Sequence, residues 1–483
     1  MADDSVDAVV VGAGPNGLTA AAVLGLAGLS VTVFEAHDSI GGGCRTASLT
    51  LPGFHHDLCA AIHPMGVVSP VFQRLRLTEH GVSWLSAKTP LAHPLDDGRV
   101  AILSRRLDDM AETLDRDGER WVRLLRPFVE RHREFFSDIL RPVRLPRHPG
   151  LMARFGWFGL RSCEQLQQLF AGAPARALLA GCAAHSFLPL SAPGSASFGI
   201  VLAIAGHAVD WPCAEGGSQQ IVEALASLVR AHGGAIHTSS PVRSLGELPR
   251  ARAVLFDVTP RQLAAIAGDA LSHSYRRALR RFVYGPGAFK IDYALAEPIP
   301  WKSAGCAAAA AVHLGGTAEE IALSEAAPAA GAFADAPFVL VAQQSHMDGS
   351  RAPRPRHTGW AYCHVPHGAD VDMTSRIENQ IERFAPGFRD VILARHVTTP
   401  HGLQAHNPNM IGGDIGGGAN SLRQFLLRPT ARWNPYTTPN PRLFLCSSST
   451  PPGGGVHGMC GYWAARTVLR RVFGRGSPAG LDL

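Results

Sequence analysis

Two sets of glycines in this chain share one spacing. Gly12-x-Gly14-x-x-Gly17 lies near the start, and Gly453-x-Gly455-x-x-Gly458 lies near the end. The spacing suits a turn that cradles nucleotide phosphates. The first glycine permits a tight turn, the second lets a pyrophosphate approach the backbone, and the third lets a helix pack closely. Glu35 stands where an acid would accept hydrogen bonds from ribose hydroxyls. The nine cysteines give no C-x-x-C. Their scatter argues against a disulfide framework, a zinc site and dithiol redox chemistry, and no metal site is expected.

The elements around the first glycines are those the chemistry needs. Asp7 to Val11 is a short apolar run that reads as a buried parallel strand. The turn Gly12, Ala13, Gly14, Pro15, Asn16, Gly17 follows, then the Ala-rich helical stretch Leu18 to Leu26. Ser30 to Phe34 reads as the next strand, ending at Glu35 and Ala36. A helix beginning at such a turn offers free N–H groups and partial positive charge to phosphates. The late glycines lack this setting. Leu443 to Cys446 reads as a strand and Met459 to Val472 as a helix, but beyond it only Phe473 to Leu483 remain, with no strand. A second dinucleotide unit does not fit, so the late glycines are expected to serve the first cofactor.

The segment after Glu35 carries Gly41-Gly42-Gly43-Cys44-Arg45-Thr46. Here the chain resembles the FAD-dependent oxidoreductases that include amine oxidases and phytoene desaturases. That resemblance implies FAD rather than NAD. It places Gly41, Gly42, Gly43 and Thr46 close to the cofactor and Arg45 by the diphosphate. Pro52 to Pro64 looks like the family segment that runs past the isoalloxazine, which implies Cys59 and Ala60 against the ring and makes His63 a candidate active-site residue. In Pro241-Val242-Arg243 the resemblance has Val242 hold the adenine end through its backbone. The run Pro452-Gly453-Gly454-Gly455-Val456-His457-Gly458 resembles the C-terminal signature of the phytoene desaturase-like branch. It implies a helix N-terminus at Gly455 and Val456, beside Gly454, aimed at the flavin. Many relatives have Gly-x-Gly-Thr where this chain has Ser447 to Thr450. If Ser447 or its neighbours must take positive φ, FAD binding is weakened. The similarity covers about residues 5–65, 215–295 and 400–470.

The fold class implied is α/β, with a Rossmann-type FAD-binding domain and an interleaved α+β substrate domain. The expected division gives residues 1–75, 206–285 and 396–483 to the FAD-binding domain, and 76–205 and 286–395 to the substrate domain. In the latter, Leu107 to Phe136 has amphipathic helical periodicity. Leu140 to Arg161 mixes arginines with aromatics, as at a membrane interface. Ala177 to Val209 contains no Asp, Glu, Lys or Arg and reads as buried helices lining a substrate cavity, with prolines that speak against a membrane span. Gly287 to Leu295 alternates as a strand with Lys290 beside Asp292. Amine-oxidase relatives carry a lysine near flavin N5 on a different stretch, so Lys290 is held as a site candidate without that role. His357 to Pro366 reads as a strand with Trp360, Tyr362 and His364 on one face, and Met373 to Phe384 as an exposed amphipathic helix. Asn407 to Gly418 looks like a flexible loop.

The chain has 483 residues, with 46% hydrophobic and 17% charged residues and a formal net charge of +6. Only Lys88, Lys290 and Lys302 are lysines, the other basic residues being arginine, so the basic balance reflects composition rather than a nucleic-acid surface. The Met-Ala-Asp-Asp start does not read as a signal peptide, so a cytoplasmic protein is expected. The function implied is hydride transfer between FAD and an apolar, isoprenoid- or lipid-like substrate, with oxygen or a quinone as electron acceptor. A polyene isomerase that retains flavin and a non-enzymatic lipid escort stay open as alternatives, as do peripheral membrane contact and a homodimer.

Overall fold

The computed structural model describes residues 5–483, so the Met1 to Asp4 start lies outside the described residues. In chain order the strands of the two large sheets are β1 (Val6–Val11), β2 (Val31–Phe34), β3 (Thr89–Pro94), β4 (Val100–Leu103), β5 (Ala235–His237) and β6 (Ala251–Phe256). They continue with β7 (Gly287–Leu295), β8 (Ala309–Leu314), β9 (Val339–Ala342), β10 (His357–Val365), β11 (Ile392–Thr398) and β12 (Leu443–Leu445). The helices used below are α1 (Pro15–Leu26), α2 (Pro149–Gly159), α3 (Ala173–Ala184), α4 (Ser195–Val209), α5 (Gln219–Ala231), α6 (Ala318–Ala329) and α7 (Met459–Val472).

The first sheet has the order β12-β6-β1-β2-β5 and every pairing in it is parallel. Its centre is β1, where Ala8, Val9 and Val10 are fully buried. A parallel strand is covered on both faces, which is why this run is apolar without alternation. Helix α1 covers one face and packs against α5 and α7. The last strand of the chain, β12, joins this sheet in register with β6, Phe444 opposite Leu255. The late glycines therefore follow a strand of the first sheet, not a second nucleotide unit.

The second sheet has the order β11-β7-β10-β9-β8-β3-β4, antiparallel except for β8 against β3. Strand β10 shows why its residues alternate. Trp360 and Tyr362 face one hydrophobic cluster, and Ala361, Cys363 and Val365 face another. Helices α3 and α4 pack on each other and are largely buried, as the charge-free run from Ala177 to Val209 requires, and Arg176 in the first turn of α3 pairs with Glu319.

Three sequence expectations change. Strand β11 crosses residue 396 and belongs wholly to the second sheet, so the boundary expected there falls inside a strand. The 407–418 loop is not loose: the buried Asp414 carboxylate accepts from Gly285 N–H at 2.7 Å, Gly416 N–H at 2.8 Å and Gly417 N–H at 3.1 Å. Glycines there supply the turn geometry while one acid pins them. Helix α7 begins at Met459, as the residues themselves read, and the helix N-terminus that the resemblance implied at Gly455 and Val456 does not form there. Gly455 has φ +120° and Gly458 φ +66°, which a right-handed helix cannot contain, and His457 Nδ1 accepts from Met459 N–H at 3.1 Å.

Candidate functional site

The glycine turn between β1 and α1 is closed by contacts only glycine tolerates. Gly12 has φ +104°, and a Cβ on Gly17 would lie 2.1 Å from the Gly12 carbonyl oxygen. A Cβ on Gly14 would lie 2.8 Å from Asp257 Oδ2. Pro15 is the first helical residue, where its missing N–H costs nothing, and Asn16 beside it is buried. At the end of β2 the buried Glu35 accepts from Ala13 N–H at 2.8 Å and His37 N–H at 2.9 Å. Ala36 next to it is exposed. The acid is thus fixed to the first glycine turn.

Gly41 and Gly42 bring the next loop onto the same turn. Both have positive φ, and a Cβ on Gly42 would lie 3.2 Å from Gly14 Cα. Gly43 leads into Arg45, whose guanidinium is buried. It donates to Glu35 Oε1 at 3.1 Å, to Ser39 O at 3.0 Å and to His406 O at 3.3 Å. Burial lowers the Arg45 pKa and Glu35 opposes that. Thr46 donates its hydroxyl to Asp57 Oδ1 at 2.7 Å. Val242, half-buried between β5 and β6, packs on the cluster that holds Val9 and Val11.

The segment carrying Cys59, Ala60 and His63 is held by buried charges from distant parts of the chain. Asp57 Oδ1 accepts from Ser218 N–H at 2.8 Å, and Arg351 Nη1 stands 3.0 Å from Asp57 Oδ2. Arg351 Nε donates to Asp348 Oδ2 at 2.7 Å. Ser218 Oγ donates to Ala60 O at 2.6 Å and pairs with His63 Nε2 at 2.7 Å. With its proton committed to Ala60, Ser218 must accept from His63, which fixes the Nε2–H tautomer. Burial pushes the His63 pKa down to about 4, so the ring is neutral. Burial pushes the Cys59 thiol up to about 11, with Lys290 opposing.

Lys290, on β7, is buried and ion-paired with Asp292. Its ammonium lies over the Trp360 ring at 5.7 Å. Asp292 Oδ1 stands 3.7 Å from His56 Nδ1. Burial pushes Asp292 up to about 6, with Lys290 opposing. Burial drives His56 down to about 3, and the Lys290 charge adds to that. Beyond Trp360 the same face of β10 continues with Tyr362 and His364. His364 Nδ1 pairs with the buried Glu325 of α6 at 2.6 Å. Phe187 covers the His364 ring at 3.8 Å. Lys290, Trp360, Tyr362 and His364 thus form a row of buried polar and aromatic groups leading from the Cys59 segment.

The tail returns to the first turn. A Cβ on Gly461, in the first turn of α7, would lie 1.9 Å from Asn16 O, and one on Gly458 would lie 2.4 Å from Thr19 Oγ1. Ser69 Oγ donates to His457 O at 2.6 Å, and a Cβ on Gly66 would lie 3.2 Å from Val456 O. Gly455 faces the 63–69 segment, where an added Cβ would lie 3.9 Å from Met65 Cβ, and Gly454 packs on the 407–418 loop, where one would lie 2.6 Å from Gly416 O. Ser447, Ser448 and Ser449 all keep negative φ, so the serines in place of the relatives' glycines are unstrained.

The reasoning from sequence missed Asp57, Ser218, Asp348, Arg351 and Asp257. The first four meet only through tertiary structure. Asp257 was signalled: it ends the apolar strand β6 as Glu35 ends β2.

Residues 10–75 match the model of the NAD(P)-binding Rossmann-like domain. The pyridine nucleotide-disulfide oxidoreductase domain-containing protein 2 of Rattus norvegicus is 26% identical, over 96% of this chain and 93% of that protein. A 4,4'-diapophytoene desaturase of a Methylomonas species is 25% identical over 49% of this chain and 48% of that one. A solved putrescine oxidase matches with a TM-score of 0.64 at 16% identity, over 98% of this chain and 99% of that chain. The solved structure shares this chain's fold, and the Rossmann-like domain model and the desaturase are what parts of its sequence are similar to. FAD, the cofactor that the resemblance implies, fits the residues present. The cradle that a Cβ at position 12, 14 or 17 would close, the fixed Glu35 and the returning tail form one continuous site. Among the described residues no helix is long and apolar enough to cross a membrane.

Proposed function

We propose that the chain moves hydride between FAD and an apolar, isoprenoid- or lipid-like substrate. One observation carries the reading: the turn after β1 and the turn before α7 close on the same helix end, Gly461 against Asn16. When bound, FAD supplies the hydride chemistry, so the protein needs only to bind, orient and exclude water. Glu35 and the glycines of the first turn would hold the adenosine and diphosphate. The start of α7 offers partial positive charge, a few tenths to about 2 kcal/mol of stabilisation for negative charge beside it. Lys290, held by Asp292, supplies a fixed cation near Cys59. His63 keeps its one proton at Nε2 and positions Ala60 through Ser218. Trp360, Tyr362 and the apolar helices α3 and α4 support an apolar substrate rather than a charged one.

Oxygen or a quinone as acceptor, and contact with a membrane that would supply the substrate, belong to the same proposal. No Asp or Glu occurs from Leu140 to Arg161, while Arg141, Arg144, Arg147, Arg154 and Arg161 do. Along that segment Leu145 is 93% exposed, Trp157 67% and Leu160 59%. Exposed apolar groups among cations suit an anionic bilayer surface.

The test is to mix the purified, flavin-loaded protein with an acyclic polyene under anaerobic conditions and follow flavin absorbance and product. Bleaching followed by one-for-one acceptor consumption on re-oxidation is the expected result. Rearranged polyene with no acceptor consumed would point to an isomerase, and a protein that takes up lipid but never flavin to an escort. Either would overturn the proposal.

A further inference from the structure

The diphosphate turn contains an acid that the dinucleotide pattern does not call for. Asp257 follows β6, and its N–H donates to Val11 O at 2.8 Å, which sets its side chain directly under the glycine turn. Gly17 N–H donates to Asp257 Oδ2 at 2.9 Å. That N–H is one of the free donors at the head of α1 that would otherwise face a phosphate. A Cβ on Gly14 would lie 2.8 Å from the same oxygen, so the carboxyl group rests against the surface a pyrophosphate must approach. The other oxygen, Oδ1, has no hydrogen-bond partner among the described residues, although Asp257 is only 7% exposed.

We infer that Asp257 is a cofactor-binding residue that meets the diphosphate as a neutral carboxyl group, its O–H donating to a phosphate oxygen, so that cofactor loading takes up one proton from solvent. The inference rests on the FAD reading above. Its ground is the charge balance of the pocket. No Lys, Arg or His pairs with Asp257 among the described residues. The charged and titratable groups that face it are Glu35 at the end of β2, a like charge, Cys446 after β12 and Cys460 on α7. Burial and the Asp257 charge both hold those thiols in the neutral form. Asn409 Nδ2 donates to the Asp257 backbone oxygen at 2.9 Å and leaves the carboxyl group alone. Burial pushes the acid up to about 7, Gly17 N–H pulls it down and Glu35 pushes it up. A diphosphate brings two further negative charges to the free oxygen, and the cation expected by it, Arg45, is already paired with Glu35. An ionised carboxylate would repel them, whereas a protonated one donates to them.

The experiment is a titration of the apoprotein with FAD, read by quenching of flavin fluorescence, from about pH 6 to about pH 9, with calorimetry in two buffers of different ionisation heat to count protons. The expected result is proton uptake on binding and a Kd that rises by up to about tenfold per pH unit above neutrality. Asp257→Asn, which presents a permanent donor of the same shape, should lose the slope and bind FAD at least about tenfold more tightly than wild type at the alkaline end. FAD binding without a pH slope or proton uptake, or a slope that survives in Asp257→Asn, overturns the inference and leaves the FAD reading standing. Failure of both proteins to bind FAD at any pH overturns the FAD reading itself, and this inference with it.

Discussion

Gly461 of the last helix lies so close to the Asn16 carbonyl oxygen that an added methyl group would sit 1.9 Å from it. The first and last helices of the chain therefore meet at the nucleotide turn, with no side chain between them. Helix contacts of this kind require glycine because the obstacle is backbone, which cannot rotate away.

Gly461→Ala is expected to separate α7 from α1. Overpacking a core costs typically 1–3 kcal/mol, and a backbone obstacle puts this site at about 3 kcal/mol or more. Thermal unfolding of the purified variant checks it, with a lowered Tm and reduced flavin content expected together.

Glu35→Gln tests the ribose end. It removes the negative charge that faces Arg45 and weakens the acceptor for Ala13 N–H. FAD affinity should fall by about tenfold to a hundredfold, on the order of 1–3 kcal/mol, measured by flavin fluorescence.

Lys290→Met leaves Asp292 buried without its cation. Breaking a buried pair from one side costs about 3–5 kcal/mol, and replacing both partners with neutral groups restores much of it. Denaturant unfolding of Lys290→Met and of Lys290→Met with Asp292→Asn should show loss and recovery. A persistent loss of substrate-dependent flavin bleaching in the stable double variant would give Lys290 a part in the reaction.

How much of this was legible in the sequence depends on how local each signal was. The turn after β1 was readable because glycine conformation and the flanking strand and helix are set by adjacent residues. The return of the tail was also readable, since the run from Pro452 to Gly458 resembles a C-terminal signature that faces the flavin. The residues alone read α7 as Met459 to Val472, where it lies; the N-terminus at Gly455 and Val456 came from the resemblance, and Gly455 and Gly458 take positive φ instead. The pairings of Asp57 with Arg351 and of Asp292 with His56 were not readable, since each joins residues from different parts of the fold. The 407–418 loop read as flexible from its glycines, while the acid that pins it reaches across to Gly285.

Acid should destabilise the fold through its buried histidines. Burial holds His56 at about 3, and His63, His93 and His457 at about 4, against an ordinary value of 6.5. The unfolded chain then binds more protons than the folded one between those values and 6.5, so stability rises with pH across that window and falls as pH drops through it. Each such histidine contributes up to about 1.4 kcal/mol per pH unit. Melting curves between about pH 4 and pH 7 should show a steep fall on the acid side.

Arg144, Arg147, Arg154 and Arg161 replaced by Gln should weaken co-sedimentation with anionic vesicles, by about 1 kcal/mol per charge at low salt. Neutral vesicles should bind neither protein well.

The central claim is that both ends of the chain build one flavin site. Its most direct measurement is the flavin content of the purified protein, by absorbance and mass after denaturation. One FAD per chain is predicted, lost or sharply reduced in both Gly14→Val and Gly461→Val. A second nucleotide per chain, or full flavin retention in either variant, would contradict it.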